Sequence, residues 1–341
     1  MAIWGGDGSS KENTRYADTW DDFIALFKDG NYTFIGFPTH DQEGNLIPIS
    51  ERVIDLRRYP WITETSAAGV NNDGKKVVYG NNWTILGPSI RNCFLLKFSQ
   101  SSETNAYLYD LTIKNAYVFA FENSRAGIFE TYGRYYKYFY RVKVSATFDG
   151  VGGSAMFSYG TTGTNQDVLL MYNCSLNFKI HGSFYLRTSA YAALTMENCL
   201  INLQSSEYGH TGKTDLLDDS VLRFCKIQGS IKLGNWNFST DVYKIIRPAN
   251  YSAYAYNVID LEVHKSSSIT TPLKCGVDQC ASGSTLACFL INKTKIENNG
   301  FTFYSGENPN QQIVGVTQEQ LTNRDYLESV YFLVGETPID D

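Results

Sequence analysis

The sequence is poor in charge, with 19% charged residues against 43% hydrophobic residues in a chain of 341. This balance excludes bulk disorder, because disordered chains combine high charge with low hydrophobicity. No apolar run approaches the roughly 18 residues that a membrane-spanning helix needs, so no membrane span is expected. The net charge of −6, with no basic cluster, argues against nucleic acid as a partner.

Cysteine occurs seven times, an odd number, so complete pairing into disulfides is impossible. Cys275 and Cys280 lack a second pair of cysteine or histidine ligands at zinc-binding spacing, and we predict neither a metal site nor a cofactor. The first residues, Met1–Asp7, have no basic start and no apolar segment, so no secretory signal is visible. We therefore expect buried, reduced thiols.

Aromatic residues are abundant instead, with 24 tyrosines, 20 phenylalanines and 5 tryptophans. This composition is typical of a β-rich protein with a polar, aromatic surface. One helix is predicted near the N-terminus, where Trp20, Phe23, Ile24 and Phe27 form an apolar stripe behind Thr19, a suitable N-cap.

From about residue 77 onward the chain repeats a short strand pattern, in which two apolar residues flank one variable residue. The instances begin 25 to 36 residues apart, at Leu111/Ile113, Val142/Val144, Cys174/Leu176, Cys199/Ile201, Cys225/Ile227, Leu261/Val263 and Thr294/Ile296. Such a recurrence, with Asn-Cys repeated at residues 173 and 198, predicts an all-β fold, a parallel β-helix. A sandwich or jelly roll of short alternating strands is the alternative.

Both ends of such a stack need a cover, because open strand edges invite aggregation. We assign residues 1–50 to an N-terminal cap with a short helix, 51–306 to the parallel β-helix and 307–341 to a C-terminal cap of helix and strand. In the last segment Thr317 and Gln320 have the spacing of a capping box, and the apolar residues 330–334 close the chain.

Five short segments occur in a characteristic order, namely Thr19–Phe23, Val53–Leu56, Leu108–Asn115, Val316–Leu321 and Asp325–Ser329. In this order the chain resembles the pectin-lyase-like right-handed β-helix proteins found among the tail proteins of tailed phages and prophages. The resemblance implies a virion protein, a tail fibre, tailspike or baseplate component, assembled in the host cytoplasm with other tail proteins and released by lysis. It also implies a homo-oligomer, with a trimer favoured, and a surface that faces the host.

Some proteins of this kind degrade polysaccharide, so a virion-associated depolymerase of the same fold is the alternative function. Glycosidases need two carboxylates about 5 to 9.5 Å apart, and the outward positions of the predicted repeat place no two carboxylates on adjacent coils. The remaining catalytic candidates are Asp218 and Asp219, with His210 nearby, which also suit a polar turn between coils. A bacterial surface adhesin is a third class, disfavoured by the missing signal.

The densest aromatic stretch, residues 132–141, offers a candidate glycan-binding site. Its residues Tyr132, Tyr135, Tyr136 and Tyr138 could stack on sugar rings, and the interleaved arginines and lysines could meet acidic host-surface polysaccharide. The other interpretation is a strand whose alternate rings line the core or a neighbouring subunit.

The repeat also predicts register. Cys174, Cys199 and Cys225 should form an inward column whose step of about 4.8 Å is too long for disulfides. Unlike charges should face each other across adjacent coils. The expected couples are Asp260 with Lys293, Glu262 with Lys295, His264 with Glu297, and Asp110 with Arg141.

Overall fold

The computed structural model describes most of the chain, from residue 3 to residue 329. The described ranges are 3–59, 75–99, 105–122, 124–132, 136–159, 168–182, 184–187, 193–206, 215–234, 242–248, 257–267, 269, 273–278, 287–306 and 311–329. Our predictions for Tyr135, His210 and residues 330–334 lie outside these ranges.

Short strands make up most of the described chain, with a few short helices at its two ends. The strands of the first half are β1 (Ile3–Gly5), β2 (Arg15–Ala17), β3 (Phe34–Gly36), β4 (Val53–Asp55), β5 (Lys76–Leu86), β6 (Ser89–Arg91), β7 (Phe94–Ser99), β8 (Ala106–Ala120), β9 (Arg125–Tyr132), β10 (Tyr136–Tyr140), β11 (Lys143–Gly150), β12 (Gly153–Tyr159) and β13 (Val168–Tyr172). Those of the second half are β14 (Ser175–Ile180), β15 (Tyr185–Arg187), β16 (Ala193–Glu197), β17 (Leu200–Ser205), β18 (Asp215–Arg223), β19 (Lys226–Leu233), β20 (Val242–Pro248), β21 (Asn257–Lys265), β22 (Leu273–Val277), β23 (Ala287–Ile291), β24 (Phe301–Ser305) and β25 (Gln311–Gly315). The α-helices are α1 (Trp20–Lys28), α2 (Thr294–Glu297), α3 (Gln318–Thr322) and α4 (Arg324–Ser329), and 3-10 turns span Ile49–Glu51 and Leu56–Arg58.

Strands that are far apart in sequence pair in parallel, one coil upon the next, in a β-solenoid of about six turns. The predicted parallel β-helix is therefore confirmed. Face A contains the first parts of β5 and β8, then β10, β13, β16 and β18. Face B contains the later parts of β5 and β8, then β11, β14, β17, β19, β21 and β23. Face C is a separate sheet of β7, β9, β12 and β15.

The corner between faces A and B contains a left-handed residue in each of six coils, immediately before the inward residue that opens face B. This corner column consists of Asn82, Asp110, Arg141, Asn173, Asn198 and Phe224, all with φ between 52° and 59°. Asparagine and aspartate tolerate this backbone region best, whereas larger side chains are strained in it. Neighbouring members also bind each other through their side chains.

Two of these side-chain contacts are well defined. Arg141 donates two hydrogen bonds to the Asp110 carboxylate, at 2.5 and 2.9 Å, which confirms that predicted couple. Asn198 Nδ2 donates to Asn173 Oδ1 at 2.6 Å. The corner therefore combines a left-handed backbone with polar side-chain bonds between two pairs of neighbouring coils.

The residue after each corner points into the core. Cys174, Cys199 and Cys225 occupy this position in successive coils, with at most 1% of each exposed and no disulfide, as predicted. Their thiols donate to backbone carbonyls; for example, Cys199 Sγ lies 3.3 Å from the Glu197 oxygen. In the next coil Asn257 takes the place of cysteine, and its side-chain oxygen accepts from the Cys225 N–H at 3.0 Å.

The predicted register is wrong in the last coils. Ile227 pairs with Ile259 and not with Val263, a slip of four residues. Ile259 then pairs with Ile291, so the next predicted step is also too long, by one residue. Side chains along a strand point alternately inward and outward. A shift of the alignment by an even number of residues therefore keeps inward residues inward and cannot be detected from the sequence pattern. The expected strand at Thr294/Ile296 is the helix α2.

The three predicted couples in that region are consequently wrong. Lys295 Nζ lies 2.7 Å from Asp260 Oδ1, and His264 Nε2 lies 3.2 Å from Glu262 Oε1 on the same strand. The helical turn of α2 brings Lys295 close to β21, the strand that carries Asp260. Complementary charges alone were therefore a misleading guide to register.

The N-terminal helix α1 covers one end of the stack, as predicted. The Asp22 N–H donates to Thr19 Oγ1 at 3.2 Å, and Trp20, Phe23 and Phe27 are buried. Fully buried Lys76, the first residue of β5, donates to the carbonyl oxygens of Asp29 and Tyr32, at 2.5 and 2.6 Å. Because a lysine cation favours the carbonyl end of a helix, this contact attaches the cap to the first coil.

The C-terminal helices lie on the outer side of face B. Helix α3 begins with the predicted capping box between Thr317 and Gln320. Val316 and Leu321 pack on Val258 and Leu290, which are outward-facing apolar residues of β21 and β23. This contact explains why two apolar side chains on the outside of the solenoid are buried.

Valine at Asn198 should be far more damaging than valine at Asn202. Both asparagines donate to the asparagine of the preceding coil, at 2.6 and 3.1 Å, but only Asn198 has a positive φ, of 52°. We expect Asn198→Val to lower the free energy of unfolding by about 2 kcal/mol. Asn202→Val should cost less than about 1 kcal/mol, because valine suits a strand. Urea unfolding followed by circular dichroism measures both, and equal losses would contradict the role of the corner.

Candidate functional site

The outer side of face A carries a group of tyrosines. They lie there because side chains along a strand point alternately to its inner and outer side. In β10 the inward residues Lys137 and Phe139 are 2% and 1% exposed, so Tyr136, Tyr138 and Tyr140 face outward. Strand β8 has the same alternation in its first part. The sequence therefore forms a strand with a buried inner side and an aromatic outer side.

Parallel register brings the tyrosines of successive coils together. We define the tyrosine face as Tyr79, Tyr107, Tyr109, Tyr136, Tyr138, Tyr140 and Tyr172. Its main column runs from Tyr79 through Tyr109 and Tyr140 to Tyr172, with ring centroids 5.5, 4.9 and 5.0 Å apart. Beside it, Tyr107 and Tyr138 lie 4.6 Å apart with rings within 3° of parallel.

The rings present their edges, and not their faces, to solvent. Parallel rings whose centroids are under about 5 Å apart can only be offset-stacked, because coplanar rings would collide at that distance. The stacking therefore runs from coil to coil along the solenoid axis, and each ring covers part of the face of the next. Tyr107 and Tyr109, neighbours on one strand, are 6.3 Å apart and parallel within 2°, so they lie side by side in the same orientation. The hydroxyl groups form the outer rim of this array.

Five hydroxyls of the tyrosine face have a raised pKa and stay protonated well above neutral pH. Burial, followed by the neighbouring Tyr140 and Tyr79, raises the pKa of Tyr109 to about 12. Burial likewise raises the pKa of Tyr79, Tyr138, Tyr140 and Tyr172. A protonated phenol both donates and accepts hydrogen bonds, so the face offers neutral groups of both kinds.

The charges around the tyrosine face are largely paired. Beyond Tyr172, the main column continues with Glu197 and Arg223, whose charged groups are 3.7 Å apart. The Asp110–Arg141 pair of the corner column adjoins Tyr109 and Tyr140. Lys75 adds one cation, with its Nζ 5.8 Å from the Tyr107 ring. The surface is thus aromatic, hydroxyl-rich and nearly neutral.

The predicted glycan residues divide between two sheets. Tyr136 and Tyr138 belong to the tyrosine face, whereas Tyr132 ends β9 in face C, and the structure does not describe its side chain. The other five members of the tyrosine face were not predicted as glycan-binding residues. A signal was present, because Tyr109, Tyr140 and Tyr172 each stand two residues before Leu111, Val142 and Cys174, the inward residues of the repeat.

The catalytic candidates Asp218 and Asp219 lie in β18, where the pairing with β20 is irregular between Leu217 and Ser220. Their side chains and His210 are outside the described part, so their role stays a prediction. Within the described ranges, no three or more His, Cys, Asp or Glu side chains are grouped so that they could hold a metal ion.

A second polar cluster lies under the C-terminal cap. Asp260 is 6% exposed and receives Lys295 Nζ at 2.7 Å and Gln318 Nε2 at 3.4 Å. Burial is the main reason that the pKa of nearby Lys226 is lowered, while the Asp260 carboxylate opposes this shift. Because Lys295 and Gln318 belong to α2 and α3, the cluster fastens those helices to face B.

The chain matches no protein-family model, and no curated protein or solved structure is significantly similar to it. In the described part of the chain, no helix combines the length and the apolar character needed to cross a membrane.

Alkaline pH should destabilise the protein through the tyrosine face. The folded pKa of Tyr109 is about 12, above the value of about 10 for an unfolded chain. The stabilisation is therefore complete below about pH 10 and is lost as the pH rises toward 12. We expect the urea midpoint to fall over this interval, and to fall less steeply in Tyr109→Phe, which cannot ionise there. Identical pH profiles for the two proteins would contradict the assignment.

Proposed function

We propose that this protein is a structural β-helix of a bacteriophage tail, in a fibre, spike or baseplate, that contacts host surface polysaccharide through the tyrosine face. The observation that carries the contact is the array of seven half-exposed tyrosines on one flat, parallel sheet. The phage setting rests on the sequence resemblance described above.

The tyrosine face suits carbohydrate in its chemistry. A sugar surface is rich in hydroxyl groups and has weakly apolar C–H patches, and tyrosine offers a hydroxyl together with an apolar ring. The rings are fixed by stacking and by the sheet below them, so little side-chain entropy is lost on binding. A binding role needs no group beyond those described.

The depolymerase alternative is supported by no contact among the described residues. Three described carboxylates of faces A and B, those of Asp110, Glu197 and Asp260, each form an ion pair with an arginine or lysine. These carboxylates are engaged by cations, whereas a glycosidase needs two carboxyl groups that face the substrate. Release of reducing sugar by the purified protein would revive the enzyme hypothesis.

Replacing Tyr138 and Tyr140 together by serine should weaken binding to polysaccharide at least tenfold. The probes are an array of bacterial lipopolysaccharide, capsule and peptidoglycan fragments, with affinity then measured by biolayer interferometry on the best binder. Tyr304→Ser, which removes a half-buried tyrosine far along the solenoid, is the matched control and should bind like the natural protein. Binding that survives in the double variant, with its circular dichroism unchanged, would exclude the tyrosine face as the contact.

The setting in the virion is tested separately. We expect peptides of this chain in mass spectra of purified phage particles, and a trimer by light scattering of the recombinant protein. The trimer, like the phage setting, is inferred from the sequence resemblance described above. A monomer in solution, or particles that lack the chain, would contradict this part of the proposal.

A further inference from the structure

The tyrosine face repeats with the step of the solenoid. Backbone coils are about 4.8 Å apart, and each coil from Tyr79 to Tyr172 contributes one tyrosine to the main column. In three of these coils the next residue is a polar member of the corner column, Asp110, Arg141 or Asn173. Each of these coils therefore offers a phenol hydroxyl beside a polar side chain, in the same order.

The repeat defines the direction of a ligand. A polymer that lies across the coils would contact one phenol and then the corner column. A polymer along the axis would contact a phenol and a polar corner side chain at each coil. An extended hexopyranose chain advances by about one such step with each sugar. The number of sugars that can bind in register thus equals the number of tyrosines in the main column.

The stacking determines which tyrosine atoms make the contact. Inside the column both faces of Tyr109 and Tyr140 are covered by neighbouring rings, with centroids 4.9 to 5.5 Å away. A sugar therefore cannot stack on them without unstacking the column. The outward hydroxyls remain, and these can donate to and accept from sugar hydroxyls.

The charge of the surface selects the kind of polymer. The hydroxyls of Tyr109 and Tyr140 are neutral at physiological pH, since the ordinary pKa of a phenol is about 10 and burial raises it further. The Asp110 and Arg141 charges neutralise each other at 2.5 Å. An anionic glycan would have to compete with Asp110 for Arg141, so the surface favours an uncharged chain.

We propose that the tyrosine face and the adjoining corner column bind an uncharged, linear polysaccharide along the solenoid axis, one sugar per coil, through tyrosine hydroxyls and not through ring faces. This inference rests on the proposed polysaccharide contact and adds the class, direction and atoms of recognition.

The test uses phenylalanine, which keeps the ring stack and removes only the hydroxyl. Probes are neutral cello-, chito- and malto-oligosaccharides of one to six sugars, with oligogalacturonates as the anionic comparison, titrated by calorimetry into the full chain. We expect affinity to rise with length up to four sugars and then to level off. Tyr109→Phe and Tyr140→Phe should each weaken tetrasaccharide binding about fivefold, and together about 25-fold, since one hydrogen bond is lost at each site. Tyr304→Phe, outside the face, should change nothing.

The outcomes separate this inference from the proposed function. If the phenylalanine variants bind normally while the Tyr138→Ser/Tyr140→Ser protein does not, ring contact is the mode, so the hydroxyl inference fails and the polysaccharide contact stands. Tighter binding of oligogalacturonate than of every neutral series also overturns the inference. If no oligosaccharide binds and the serine variant still binds the array polysaccharide, both proposals fail at this face.

Discussion

Coil-to-coil hydrogen bonding in parallel register is the constraint on which the rest of this structure depends. It places equivalent residues of successive coils about 4.8 Å apart, a distance at which like side chains stack well. Cysteines form an inward column, asparagines bond along the corner, and tyrosines stack on face A. Each column results from the same spacing between coils. A residue type that recurs once in each coil therefore forms a continuous surface only because the coils stack.

The corner residue makes this stacking possible at an energetic cost. A left-handed backbone at Arg141 and Phe224 is unfavourable, and it is maintained because the strands on either side are paired with both neighbouring coils. Buried charges perform a related task at the ends. Lys76 binds the carbonyl groups at the end of α1, and Asp260 binds Lys295 of α2 and Gln318 of α3, so the helices at both ends of the chain are attached through a charged group with defined partners.

In the tyrosine face, stacking changes which parts of the aromatic side chains a ligand can contact. Exposed tyrosines in a sequence are readily interpreted as platforms for sugar rings. In this fold the rings cover each other, and the surface that remains is a regular array of neutral hydroxyl groups with an ion pair and amides at its border. The chemistry available to a ligand therefore depends on ring orientation and less on the number of aromatic residues.

The sequence by itself determined the strand alternation, the inward cysteine column, the N-cap at Thr19, the capping box at Thr317 and the Asp110–Arg141 couple. These features depend on residues that are near in sequence, or on coils in which the repeated strand pattern gives the correct alignment. The tertiary structure alone decided the register of β21 and β23, the helix at Thr294 and the assembly of seven tyrosines into one face. Loops of variable length separate the coils, and alternation is unchanged by an even slip, so only the pairing of backbones could choose between such registers.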